Sequence, residues 1–150
     1  LAARGVAESE CGAAAGRVAE ALKRTLGDQR GQWLLGERRE AKSEYRLSSM
    51  NATGRRDWVI DRTFLDDEGT RWIVDFKTSR HEGGDVEAFL DRERERYRGQ
   101  LEGYAELLLR QSSNAHDSKG TNASALGAIR LGLYFPLLGG WREWNYCAAD

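Results

Sequence analysis

Cysteine is scarce: Cys11 and Cys147 sit at opposite ends of 150 residues, with no spacing of the kind that ligates a metal. They read as reduced thiols of a cytosolic protein, with a single disulfide as the other possibility. Long hydrophobic runs are missing as well. No segment approaches the length needed to cross a bilayer, and no signal peptide is visible. Charge of one sign is also lacking, because 23 basic and 24 acidic residues leave a formal net charge of -1. A polyanionic partner must therefore be met by local basic clusters, not by the whole molecule. No internal repeat is present. What remains is 40% hydrophobic and 31% charged, which suits one compact domain over residues 1–150 with a single core and a solvated surface. Leu1 at the start and the abrupt end after Asp150 suggest a piece of something longer.

Helical spacing of Val18, Leu22 and Leu26, with Gly27 as a stop, predicts a helix from about Ala13 to Leu26. A strand follows around Glu44 to Leu47, and "NATGRR" supplies turn residues. Two further strands, "WVIDRTFL" (58–65) and "TRWIVDFKT" (70–78), flank the tight-turn signal "DDEG" and read as a hairpin. Residues Asp85 to Gln111 carry a helical pattern, "SSNAHDSKGTNASA" (112–125) a polar loop, and "AIRLGLYF" and "WREWNYC" two last strands. This order predicts an α/β fold, a mixed β-sheet core flanked by helices.

The hairpin carries the chemistry. If Asp61 faces Asp75, the midpoint falls at Glu68, inside "DDEG". Lys77, two residues past Asp75, then shares their face. Two carboxylates this close repel, and one is forced neutral unless a cation joins them. Hard oxygen ligands with positions left for water and phosphate suit Mg²⁺. A lysine beside that ion can orient a water or meet charge building on a phosphate. The plainer alternative is an Asp75–Lys77 structural ion pair with Asp61 as a solvated strand end. Glu44 is either a third acidic ligand or a surface glutamate.

On the long helix, Tyr97, Gln100 and Tyr104 fall at i, i+3 and i+7 on one face. A buried amide wants partners, so Gln100 and Tyr104 are candidates for contact with a phosphate or the ion's water, and Tyr97 for the core. Arg55, Arg56 and Arg62 beside the hairpin, and Arg80 after it, are the basic candidates for meeting a polyanionic partner. The "DRERERYR" run alternates in sign and reads as a solvated helix face.

"WVIDRTFLDDEGTRWIVDFKTS" followed by "YRGQLEGYAELL" resembles the PD-(D/E)XK nuclease superfamily. More narrowly, it is similar to the C-terminal nuclease domain of UvrD/Rep-type helicase-nucleases, the RecB and AddA group. The likeness is strong over about residues 40–110 and rests elsewhere on element order. It implies a restriction-endonuclease-like fold in α-β-β-β-α-β-β order. It also implies that Asp61, Asp75 and the Phe76 carbonyl hold Mg²⁺, for which Mn²⁺ could substitute. By the same likeness Lys77 is the catalytic lysine, and Gln100 and Tyr104 form the helix motif. The expected activity is exodeoxyribonuclease-type hydrolysis of DNA in double-strand break repair and recombination, in the bacterial cytoplasm. Single-stranded DNA would be delivered by helicase domains of the parent chain, where ATP would be used, and a second subunit could join. No membrane partner is implied. Two departures stand out: Trp58 replaces a glycine the family usually has three residues before the first aspartate, and no histidine precedes the first strand, since His81 and His116 fall later. That second departure keeps open a nuclease fold used only for binding or scaffolding. A free-standing restriction-type endonuclease is a third reading.

Overall fold

The computed structural model describes residues 8–51, 54–119 and 127–148. Helices α1 (Glu8–Gly27) and α2 (Gln29–Leu35) lead into strands β1 (Arg39–Asn51), β2 (Gly54–Leu65) and β3 (Arg71–Phe76). Helix α3 (Val86–Lys119) then carries the chain to β4 (Ile129–Phe135) and β5 (Gly140–Asn145). The five strands lie in sequence order, antiparallel except for the parallel β3–β4 pair. A parallel pair cannot be closed by a tight turn, and α3 is the crossover that joins it. This is the predicted mixed sheet flanked by helices. No helix among the described residues is long and apolar enough to cross a membrane.

Each face of the sheet has its own core. Ile60, Ile73, Leu131 and Leu133 pack beneath Leu90, Leu101 and Ala105 of α3. On the other face Phe64, Trp72, Val74 and Tyr134 pack against Leu34 of α2. Burying such a side chain contributes about 1.5–3 kcal/mol.

The β2–β3 register pairs Arg62 with Val74 and Leu65 with Arg71, which is the alignment that sets Asp61 level with Asp75. Asp66 locks the turn between these strands. Its carboxylate accepts from the amides of Glu68 and Thr70 and from the Trp72 indole, while Gly69 adopts φ +85°.

Three sequence expectations need correction. Helix α3 continues through 112–119, where the polar composition predicts a loop. The Ser112 and Ser113 hydroxyls donate to the carbonyls of Leu108 and Leu109, so these polar residues turn back on the helix and do not leave it. The rest of that expected loop, 120–126, lies outside the described residues. Strand β2 starts at Gly54 instead of 58, and with β1 forms a ribbon reaching beyond the last β3 pairing. Finally, the spacing that marks α1 as a helix does not face the core: Val18, Leu22 and Leu26 are 55%, 54% and 62% exposed, whereas Ala21 and Thr25 are buried.

The α1–α2 corner depends on Gly31. A Cβ there would lie 2.1 Å from the backbone oxygen of Thr25, and backbone cannot yield as a side-chain tip can. Gly31→Ala should therefore lower the unfolding free energy by about 1–3 kcal/mol in a urea titration.

Candidate active site

Asp75 follows Ile73 on the α3 face of β3 and is only 4% exposed. Lys77 Nζ lies 2.5 Å from its Oδ2 as an ion pair, and this buried oxygen has no other polar partner. Burial pushes the Asp75 carboxyl above the usual carboxylate range; Lys77 opposes that rise, and the nearby Asp61 adds to it by charge and by hydrogen bonding. Asp61 is held in turn by the backbone amide of Phe76, which donates to its Oδ2 over 2.9 Å. Asp61, Asp75 and Lys77 thus converge at the carboxyl end of β3.

The backbone bends where this happens. Ile60 packs on the α3 face and Phe64 on the α2 face, although strand alternation would give them the same side. The switch falls at Asp61, opposite Glu44, between the pairs Ser43–Arg62 and Tyr45–Ile60. Glu44 takes φ +49°, a left-handed conformation that costs a non-glycine residue about 1–3 kcal/mol. Its side chain is exposed. Among the described residues no three His, Cys, Asp or Glu side chains form a metal-type group, so Glu44 does not complete one with the two aspartates.

Helix α3 covers the acids. Gln100 Nε2 donates to the Tyr104 hydroxyl over 2.6 Å, and Tyr104 is 5% exposed. Burial raises the Tyr104 hydroxyl above its ordinary value; Gln100 opposes this, and the charges of Asp75 and Asp61 reinforce it. The phenol therefore stays neutral and can donate toward the carboxylates.

Tyr97 packs against the core as expected, and it also lies under Lys77, whose Nζ is 3.8 Å from the ring centroid, a cation–π contact that restrains the ammonium. One further residue on this face escapes the sequence pattern. Glu93 is buried at 7% exposure with Arg96 as its ion-pair partner at 3.5 Å. Extending the 97–100–104 stripe back one helical turn would have found it. The rest of the "DRERERYR" run forms exposed ion pairs such as Arg98–Glu95 at 2.8 Å.

The four arginines separate. Arg62 is on the α2 face and donates to the carbonyls of Leu34 and Gly36 and to the Ser43 hydroxyl, tying down the end of α2. A structural task accounts for it. Arg55 is exposed and bonds Asp57 and Ser48; Arg56 is exposed over the Trp58 ring; Arg80 is exposed and pairs with Glu20. Of the sparse thiols and imidazoles, Cys147 is free and exposed, and His81 stacks on Phe89 with centroids 4.6 Å apart. The side chains of Cys11 and His116 lie outside the described residues.

The donor set suits a hard cation in one specific respect: a buried carboxylate oxygen, met only by the Lys77 ammonium, sits beside a second carboxylate. Residues 2–144 match the family described as the PD-(D/E)XK nuclease superfamily. No curated protein matches the chain.

Proposed function

The chain belongs to the PD-(D/E)XK nuclease superfamily, whose members are generally nucleases, and on that footing we propose that it is a Mg²⁺-dependent deoxyribonuclease. The observation that carries this reading is the convergence of Asp61, Asp75 and Lys77 under Gln100 and Tyr104. Asp61 and Asp75, with the Phe76 carbonyl, would hold the ion, which supplies Lewis acidity toward a phosphodiester and a more acidic water.

The chain's own residues do the remainder. The Phe76 amide fixes the Asp61 carboxylate, so that group does not need to reorganise when substrate arrives. Lys77, restrained above the Tyr97 ring, is a compact point charge available to the phosphate as negative charge builds on it. The Tyr104 hydroxyl accepts from Gln100 and keeps its own proton to donate to a carboxylate or a phosphate oxygen. Arg55, Arg56 and Arg80 are exposed and supply the local positive charge that a nearly neutral chain needs along a DNA path.

The sequence likeness to helicase-nucleases extends the proposal. In that setting the domain would receive single strands from motor domains of a longer chain and act in the cytoplasm during break repair. A binding-only use of the fold is the second reading; the absence of a histidine before β1 favours it, and the assembled acid–lysine pair opposes it.

Digestion of labelled single- and double-stranded DNA separates the two. Wild-type protein should cut in Mg²⁺ and stop when EDTA is added. Binding without any cutting in Mg²⁺ or Mn²⁺ would leave the scaffold reading standing.

A further inference from the structure

Trp58 occupies the outer half of β2, three residues before Asp61 and beyond the last pairing with β3, so β1 flanks it on one side only. Three strand steps place it about 10 Å from Asp61 along the chain. It is on the α3 face: its ring meets the edge of Tyr104 at 6.1 Å and an interplanar angle of 82°. The guanidinium of Arg56 lies over the ring, 5.3 Å from its centroid. The indole is partly exposed, and its N–H is buried without an acceptor.

We propose that Trp58 and Arg56 form a stacking shelf for a nucleobase of the DNA strand next to the scissile phosphate. This deepens the nuclease reading and rests on it. Every base has a π face, so an indole capped by a planar guanidinium offers a strand a stacking surface with little regard to sequence. A strand seated this way is fixed at a set distance from the acids, because Trp58 and Asp61 belong to one strand and Tyr104, which packs against the Trp58 ring, lies near enough to Asp61 and Asp75 to feel their charges. A duplex, whose bases are already stacked on one another, gains nothing from the shelf. Trp58 is thereby a positioning residue that favours single strands. The purely structural role, bracing Tyr104, makes a different prediction.

The test measures binding of full-length protein, in EDTA, to fluorescent oligothymidylate and to an abasic deoxyribose-phosphate oligomer of equal length and charge. Wild type should bind the base-bearing oligomer roughly tenfold more tightly. Trp58→Leu keeps apolar bulk beside Tyr104 but has no π face; it should weaken oligothymidylate binding roughly tenfold and abasic binding less than about twofold. Trp58→Phe should restore most of the loss. Equal affinity of wild type for the two oligomers overturns the proposal, as does an equal loss on both in Trp58→Leu. Absence of Mg²⁺-dependent cutting by wild type would sink the nuclease reading instead, and leaves this comparison to be decided by itself.

Discussion

Lys77→Ala should reduce Mg²⁺-dependent cutting by about 10²–10³-fold, the usual cost of removing one positioned group that meets transition-state charge. The protein should still fold. Removing one partner of a buried ion pair normally strands the other charge, but burial already shifts the Asp75 carboxyl toward its protonated form, so it can take up a proton when the ammonium is gone. Lys77→Arg should not restore activity. The guanidinium is a planar fork that cannot occupy the position of a compact ammonium held 3.8 Å above the Tyr97 centroid and 2.5 Å from Asp75 Oδ2. Asp75→Ala should lose cutting altogether, having lost a proposed ion ligand. A gel assay showing equal rates for wild type and both alanine variants would end the catalytic assignment.

Asp75→Asn should give the second large effect, and in two opposed directions. In the absence of divalent cations the variant should melt at a higher temperature than wild type at neutral pH. The folded chain keeps a proton on Asp75 above the ordinary value of 3.8, because burial and Asp61 outweigh Lys77. Between 3.8 and the raised value the folded state binds more protons than the unfolded state. Stability therefore falls as pH rises through that window and stays lower above it. Asparagine is neutral throughout, so the advantage of the variant should vanish below about pH 4. Mg²⁺ reverses the ranking: at a hundredfold excess over Kd it should stabilise wild type by about 2.7 kcal/mol and leave the variant unmoved. Calorimetric melts with and without Mg²⁺ read both effects. An equal Mg²⁺ shift in the two proteins would show that Asp75 does not hold the ion.

The hairpin was legible because its register is fixed by a short turn. Asp66 and Gly69 leave little choice about which residues face each other, so the position of Asp61 relative to Asp75 follows from counting. Gln100 and Tyr104 were legible for the same kind of reason, helical period on one side of α3. Three things were not. Arg62 stands two positions after Ile60, and plain strand alternation would put both on one face. At the face switch by Asp61 it turns to α2 instead, and nothing in composition announces a strand that changes sides. Lys77 over Tyr97 is a contact between a strand end and a helix, whose relative placement a single sequence does not state. In α1, periodic apolar residues normally mark a buried stripe, yet here the small residues Ala21 and Thr25 face inward, so the spacing identified the helix and misdirected its orientation.

The parallel β3–β4 pair has a kinetic consequence. Asp61, Asp75 and Lys77 belong to one hairpin, whose ends meet after closing a short loop. Gln100 and Tyr104 reach them only once α3, 34 residues long, has packed across the sheet. Local pairings of the first kind form within microseconds, whereas distant ones wait on the loss of chain entropy. The two carboxylates therefore meet while still bathed in water, where their repulsion is weak, and the penalty of drying them falls on the step that packs α3 over them.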